Sequence, residues 1–263
     1  MADTLCALNV GERGHIFMWH AKVRGLASRY KKVIVASHHD LGPLFDDFAH
    51  EFRGVRLGCD SDMDGPYEPT AEDIAKIGAA LAGENMEILA RVDSHYVKAQ
   101  QEGFVFRKFG RADPKYAGMI VLHARGRALG ADHNWAVGKW PELINSLRSR
   151  GIDNPIAFIG RPDLSTWCPG GMDLRGMEFS ELLTLLRNAA VIVGPSSGPI
   201  HLASQCGCKQ VTWNGDEGRE ADIRQRYMVA WNPFGTPCKV LDRWTWQPTV
   251  EEVASATKEM LDA

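Results

Sequence analysis

The residues best suited to chemistry lie in Val191-Ile-Val-Gly-Pro-Ser-Ser-Gly-Pro-Ile-His-Leu-Ala203, a β-branched run that stops at a Gly/Pro/Ser turn and resumes as a helix carrying His201. The run ending at Gly194 reads as a buried strand, and Ser196, Ser197 and Gly198 are small enough to let backbone approach a ligand. A helix that starts there directs unpaired N–H groups and the positive end of its dipole outward, which suits a diphosphate. The same residues spell Gly194-x-Ser196-x-Gly198, the pattern of a serine-hydrolase elbow, in the strand–turn–helix setting that motif needs. In α/β-hydrolases the catalytic histidine follows the serine, whereas the last histidine here is His201, five positions on and on the same short helix. It cannot fold back to act as a base, which favours the phosphate reading. A plain turn with serine as N-cap is the bland alternative.

Two further turns follow predicted strands. In Gly11-Glu-Arg-Gly-His15, Glu12 sits on a Gly-flanked turn and suits a general base, and His15 shares that turn as a rival base. Asp60, Asp62 and Asp64 are rivals on a loop. In Ala124-Arg-Gly-Arg127, Arg125 and Arg127 offer the two-donor grip that guanidinium has for phosphate oxygens. No Asp-x-Asp motif ends a strand and no metal-ligand cluster is evident, so the charge of a bound diphosphate must be neutralised by the protein itself. The expected phosphate-site residues are Arg125, Arg127, Ser196, Ser197, the Gly198 amide and His201. Arg175, Asp132 and Glu181 are weaker candidates, with Glu181 one turn into a helix and within reach of a ribose hydroxyl. Trp135 reads as packing.

These turns need strands and helices to hold them. Apolar runs alternate with helical patterns, the signature of α/β architecture with parallel sheets. The spacing predicts a strand at 4–10, a helix at 16–27, a strand at 32–36, and helices at 41–52 and 70–82. A polar, basic stretch at 100–115 is the expected interdomain crossing. A second alternation follows: strand 119–123, helix 140–150, strand 155–159, helix 179–188, strand 191–193, helix 199–205, strand 210–213 and a terminal helix at 250–261. Trp140, Leu143, Ile144 and Leu147 form a one-sided stripe and read as core. The expected organisation is an N-terminal α/β domain over residues 1–115 and a C-terminal α/β domain over residues 116–263. Two such domains leave a central cleft at the carboxyl ends of their strands, where ligands of these folds bind.

Composition narrows the class. A chain of 263 residues with 44% hydrophobic and 24% charged residues can bury a globular core. A net charge of −3 argues against a generally basic nucleic-acid surface, although Arg24, Arg29, Lys31 and Lys32, or Arg107, Lys108 and Arg111, are able to form local patches. The six cysteines form no C-x-x-C pair and have no histidine at zinc spacing, so they read as reduced thiols. With no signal pattern and no transmembrane run, the expectation is a soluble, cytoplasmic protein.

With these turns placed, the chain resembles GT-B glycosyltransferases, most closely the family-9, heptosyltransferase-like group. The stretch from Phe179-Ser-Glu-Leu-Leu through Arg-Asn-Ala-Ala-Val-Ile-Val-Gly-Pro-Ser-Ser-Gly-Pro-Ile-His-Leu-Ala203 is similar to that group's L-x-x-L, A-x-x-x-V-x-x-D-[ST]-G-x-x-H-L-A pattern. His133-Asn-Trp135 followed by Lys139-Trp-Pro-Glu-Leu-Ile144 looks like its K-x-W-P and W-x-E-L-I segments, and Gly11-Glu12 stands where the group has Gly-Asp. Three features depart from the pattern: Ser196 replaces an Asp, His133 replaces a phosphate-contacting Lys, and the first domain is reduced. The resemblance implies two Rossmann-type domains, the first on the acceptor side and the second binding the nucleotide sugar, and a metal-independent, inverting transfer of a sugar from a nucleotide-diphosphate donor to an acceptor hydroxyl, with no cofactor beyond the donor substrate. It makes Glu12 the expected base and His15 its rival or a residue that orients the acceptor, and it turns the phosphate-site residues, joined by His133, into the expected donor site. The acceptor it implies is a glycan such as a lipopolysaccharide core, and a hydroxymethylated nucleic-acid base is the alternative. A nucleotide- or sugar-binding module that has lost catalysis is a further alternative, raised by Ser196. A Rossmann oxidoreductase is disfavoured, because no G-x-G-x-x-G follows a predicted strand.

Overall fold

The computed structural model describes residues 2–8, 13–37, 42–54, 70–81, 85–89, 106–128, 130–215, 218, 220–241 and 243–263, the side chains of 13–19 and 73 excepted. The chain divides into two compact units, Met1–Arg107 and Lys108–Ala263. Each is built on its own parallel sheet.

In the first unit, strands β1 (Thr4–Leu8), β2 (Lys32–Ser37), β3 (Glu51–Gly54) and β4 (Met86–Leu89) lie in the order β3-β2-β1-β4. All five residues of β1 are buried, as a central strand covered on both faces requires. Helices α1 (Arg13–Ala27) and α2 (Ala71–Ala80) belong to this unit, and Ile77 and Leu81 pack with Cys6, Leu8, Ile34 and Ala36. Of the helix expected at 41–52, the described residues 42–52 form none. A single 3-10 turn at Gly42–Leu44 leads instead into β3. Asp46 and Asp47 are held by arginines from elsewhere in the unit, Arg107 on Asp46 and Arg24 on Asp47, while an Arg24 Nη2–H also donates to the Leu44 carbonyl at 3.0 Å. Phe45 is fully buried beside Phe48 and His50. These tertiary contacts outweigh the modest helical preference of a segment that contains Gly42 and Pro43.

The second unit carries β5 (Ile120–Leu122), α3 (Lys139–Ser149), β6 (Ile156–Phe158), β7 (Met172–Asp173), α4 (Phe179–Asn188), β8 (Val191–Pro195), α5 (Gly198–Cys206), β9 (Gln210–Trp213), α6 (Glu220–Gln225), β10 (Cys238–Val240) and α7 (Val250–Asp262). Its parallel strands run β10-β9-β8-β5-β6-β7. Counted from β5, that is the doubly wound order 3-2-1-4-5-6, and the order reverses between β5 and β8. The stripe of α3 is buried as expected, joining Trp135, Phe158 and Trp213 in the main core. Helix α7 opens with a capping box, Thr249 with Glu252, and α5 closes on Gly207 at φ 75°. Among the described residues no helix is long and apolar enough to cross a membrane.

The division between the units falls at Arg107/Lys108, eight residues before the expected 115/116. Residues from Phe109 onward pack on the second unit: Phe109 is buried and its N–H donates to the Gln205 carbonyl at 3.0 Å. Asn188 on α4 donates to the Arg111 carbonyl at 2.8 Å and accepts from the Asp113 N–H at 3.0 Å.

At the point of reversal β5 and β8 come close. The His123 N–H donates to the Val193 carbonyl at 2.9 Å, and a Cβ on Gly194 would lie 2.9 Å from the His123 carbonyl oxygen. Gly194→Ala is therefore expected to destabilise the fold by about 1–3 kcal/mol through overpacking against backbone, as read from the urea unfolding midpoint. A neutral result would show that the two strand ends are free to separate.

Candidate functional site

The carboxyl ends of β5 and β8 carry the residues with the most chemistry. After β8 the Ser196 N–H donates to the Trp213 carbonyl at 2.9 Å, prolonging the pairing with β9 into the turn. Ser197 is extended (φ −168°, ψ 170°), and α5 starts at Gly198 without a side-chain cap. The amides at this helix start are fewer than the sequence suggested: Pro199 has none, and the Ile200 N–H donates to the Ser197 carbonyl at 3.1 Å. Ser196, Ser197 and Gly198 are partly exposed, and a Cβ on Gly198 would meet open space.

Two buried rings back this edge. Ser197 Oγ is 3.0 Å from His123 Nδ1, and Ser196 Oγ is 2.5 Å from the Tyr227 hydroxyl. His123 is 7% exposed and Tyr227 1%. His201, on the first turn of α5, stacks on the Tyr227 ring at 5.3 Å and 13°. Burial, and then the nearby Arg125 charge, lower the His123 pKa to about 4, so its imidazole is neutral at pH 7. A Ser–His pair invites comparison with a hydrolase dyad. Here the imidazole is a very weak base with a guanidinium rather than a carboxylate acting on it, the reverse of what nucleophile activation requires.

The loop after β5 supplies the cations. Arg125 is 9% exposed; its Nη1 donates to the Gly130 carbonyl at 2.7 Å and to Asn134 Oδ1 at 2.5 Å. Its backbone bridges to Ser165. Arg125 thus holds its own loop together. Arg127 is half-buried, and Asn134 Nδ2 fixes its carbonyl at 2.7 Å. His133 stacks on Trp246 at 4.1 Å and 15°, with Asp132 3.5 Å away. Trp135 is core, its indole N–H donating to the Pro248 carbonyl.

The weaker candidates have structural partners. Arg175 grips both Asp173 oxygens at 2.8 Å and donates to the Ser165 carbonyl, bracing the strap that bridges to Arg125. Glu181 accepts from the Tyr116 hydroxyl at 2.6 Å, with Lys115 and Arg111 nearby, and that hydrogen bond foremost holds its carboxyl below the usual range. Glu12 lies outside the described residues, as do Asp60, Asp62 and Asp64. His15 lies on α1, with its side chain also outside them. Among the described residues no group of three or more His, Cys, Asp or Glu side chains is placed to hold a metal ion.

The structure therefore gathers Ser196, Ser197, Gly198, His201 and Arg125 around one pair of strand ends. Sequence reasoning missed His123 and Tyr227. His123 had a signal, since it ends the predicted strand just before the arginine turn. Tyr227 had none, because it lies 31 residues from the serine it meets, in a stretch without apolar period.

No protein-family model matches the sequence, and no curated protein matches it. Solved structures match in fold. The Escherichia coli heptosyltransferase WaaC with ADP superposes with a TM-score of 0.58 at 12% identity, over 98% of this chain and 99% of that one. A glycosyl transferase of family 9 from Veillonella parvula gives 0.57 at 10% identity, over 98% and 97%. A Listeria monocytogenes protein named for a UDP-N-acetylglucosamine 2-epimerase gives 0.53 at 10%, over 100% and 89%. The chain has the GT-B, heptosyltransferase-like fold, built from two Rossmann-type units. Because structures named for different reactions share the fold, the reaction has to be argued from the site.

The buried histidine makes stability depend on pH. Its folded-state pKa of about 4 lies below the ordinary 6.5, so between those values the unfolded chain takes up a proton that the folded chain refuses. The stabilisation is complete above the ordinary value and is lost as pH falls toward the folded one. Acidifying from about pH 7.5 to about pH 5 is expected to remove about 2 kcal/mol by this route. His123→Gln, which cannot titrate, should show a correspondingly shallower decline in urea unfolding; parallel declines would assign the effect to another group.

Proposed function

We propose that this protein is a glycosyltransferase that moves a sugar from a nucleotide-diphosphate donor to an acceptor hydroxyl without a metal ion. One observation carries the reading: the partly exposed Ser196–Gly198 edge stands where the strand order reverses, the place at which doubly wound sheets take nucleotides. The full-length likeness to family-9 and heptosyltransferase structures supports it.

The chemistry follows from these groups. The acceptor oxygen bonds to the anomeric carbon as the bond from that carbon to the diphosphate breaks. The acceptor proton passes to Glu12, with His15 as the rival base, and the charge that gathers on the diphosphate needs donors already in place. Arg127, Ser196, Ser197, the Gly198 amide and the His201 helix turn fill that role, and the dipole of α5 adds to it. Arg125 shapes the loop that presents Arg127, and His133 flanks it. Arg175 acts through the Ser165 strap, and Glu181, already held by Tyr116 and Lys115, is the weaker candidate for a ribose hydroxyl. Inversion at the anomeric carbon is inherited from the resemblance. We propose a glycan as the acceptor, and a hydroxymethylated nucleic-acid base remains the second candidate.

The decisive assay measures release of free diphosphate nucleotide from ADP-, UDP-, GDP- and dTDP-sugars in the presence of EDTA. ADP-sugars lead the panel because the E. coli heptosyltransferase of this fold was solved with ADP. One donor should turn over; nucleotide binding without any release would identify a binding module. Arg127→Ala should weaken binding of the matching nucleoside diphosphate by about 1.5–3 kcal/mol, the scale of a charged hydrogen bond, measured calorimetrically. Unchanged affinity in both Arg127→Ala and Arg125→Ala would remove the arginines from the site. Glu12→Gln should lower kcat about 10²–10⁴-fold and leave donor affinity nearly intact. Wild-type turnover in Glu12→Gln with loss in His15→Ala would move the base to the histidine.

A further inference from the structure

Tyr227 is fully buried and yet spends its hydroxyl on the half-exposed Ser196, at 2.5 Å. We propose that Tyr227 is a positioning residue: its phenol donates to Ser196 Oγ, so that the serine's own hydrogen points outward to an oxygen of the bound diphosphate. This rests on the reading of the Ser196–Gly198 edge as a diphosphate site.

The direction of the hydrogen bond follows from acidity. A phenol, with its pKa of about 10, is a stronger hydrogen-bond donor and a weaker acceptor than an aliphatic hydroxyl. The phenol therefore takes the donor role and the serine oxygen accepts. Accepting that bond polarises the serine O–H and makes it a better donor in turn. The tyrosine does not touch ligand; it acts through Ser196.

The surroundings hold the ring in that pose. His201 lies flat against it, and Trp231 meets it edge-on at 5.1 Å and 85°. Trp231 also meets His201 edge-on at 4.6 Å and 84°. The backbone contributes a π turn over Arg226–Ala230, closed by the Trp231 N–H on the Arg226 carbonyl. Such wide turns displace one residue from the ordinary helical register and are frequent at functional sites. Here the turn leaves Met228 and Val229 about half exposed while Tyr227 points inward. A phenylalanine would fill the same volume, so packing does not call for the hydroxyl.

The test compares Tyr227→Phe, Ser196→Ala and the double variant by calorimetry. The probes are the nucleoside diphosphate that the wild type prefers among ADP, UDP, GDP and dTDP, and the corresponding monophosphate. A structural role would weaken both nucleotides together, whereas positioning toward the diphosphate lowers the ratio of diphosphate to monophosphate affinity. That ratio should fall about 3- to 10-fold in Tyr227→Phe and in Ser196→Ala, as expected for one hydrogen bond, and no further in the double variant. A wild-type ratio in Tyr227→Phe, or an additional loss in the double variant, overturns the inference and leaves the proposed function standing. Failure of the wild type to bind any diphosphate overturns both. If Tyr227→Phe does not fold, Ser196→Cys decides: a thiol accepts poorly from a phenol and should match Ser196→Ala, and a wild-type ratio in Ser196→Cys overturns the proposal.

Discussion

Everything at the site hangs on the backbone contact between the ends of β5 and β8. The His123 N–H reaches the Val193 carbonyl, and the missing side chain of Gly194 lets the two main chains close to a distance that any Cβ would prevent. That approach carries the His123 imidazole beneath Ser197 and sets the arginine loop of one strand beside the serine turn of the other. Parallel sheets with reversed winding open a crevice at such a point because the connections leave it on opposite sides. The contact therefore does more than stabilise a sheet; it aligns two turns that are more than sixty residues apart.

Around that contact, polar groups serve two distinct purposes. The hydroxyls of Ser196 and Ser197 are backed by buried partners, a phenol and an imidazole, and the imidazole carries no charge at pH 7. The guanidinium of Arg125 is turned inward onto Gly130 and Asn134, where it closes a loop. Its neighbour two residues on has its main chain pinned by the same asparagine. One arginine is a brace and the other is the group being braced. The strap through Ser165 extends the bracing to Arg175 and Asp173.

What was legible beforehand was what leaves a local trace. Helix α4 and strand β9 fall where their apolar patterns place them, and the stripe on α3 is buried residue for residue. The serine turn announced itself because small residues between a β-branched run and a helix have few other uses. Short strands without a pattern escaped, β7 with two exposed residues above all. The helix expected at 41–52 gives way to contacts distant in sequence, those of Asp47 with Arg24 and Asp46 with Arg107. Tyr227 was invisible for the same reason, since its importance comes from a serine brought to it by the fold. Arg175 and Glu181 were legible as weaker charged candidates, but their ion pairs were not.

The anchoring of residues 109–113 bears on how this protein can be cut. Phe109 fills a buried place in the second unit, and Gly110, at φ 77°, lies where a Cβ would collide with the Leu183 carbonyl. A fragment begun at residue 116 would keep every strand of the second sheet yet open an apolar hole beside α4 and α5 and leave the Gln205 carbonyl without the Phe109 amide. A fragment begun at Lys108 retains the plug. The polar, basic stretch that looks dispensable in composition thus ends in a clasp, and the natural seam for dissecting the chain lies on its N-terminal side.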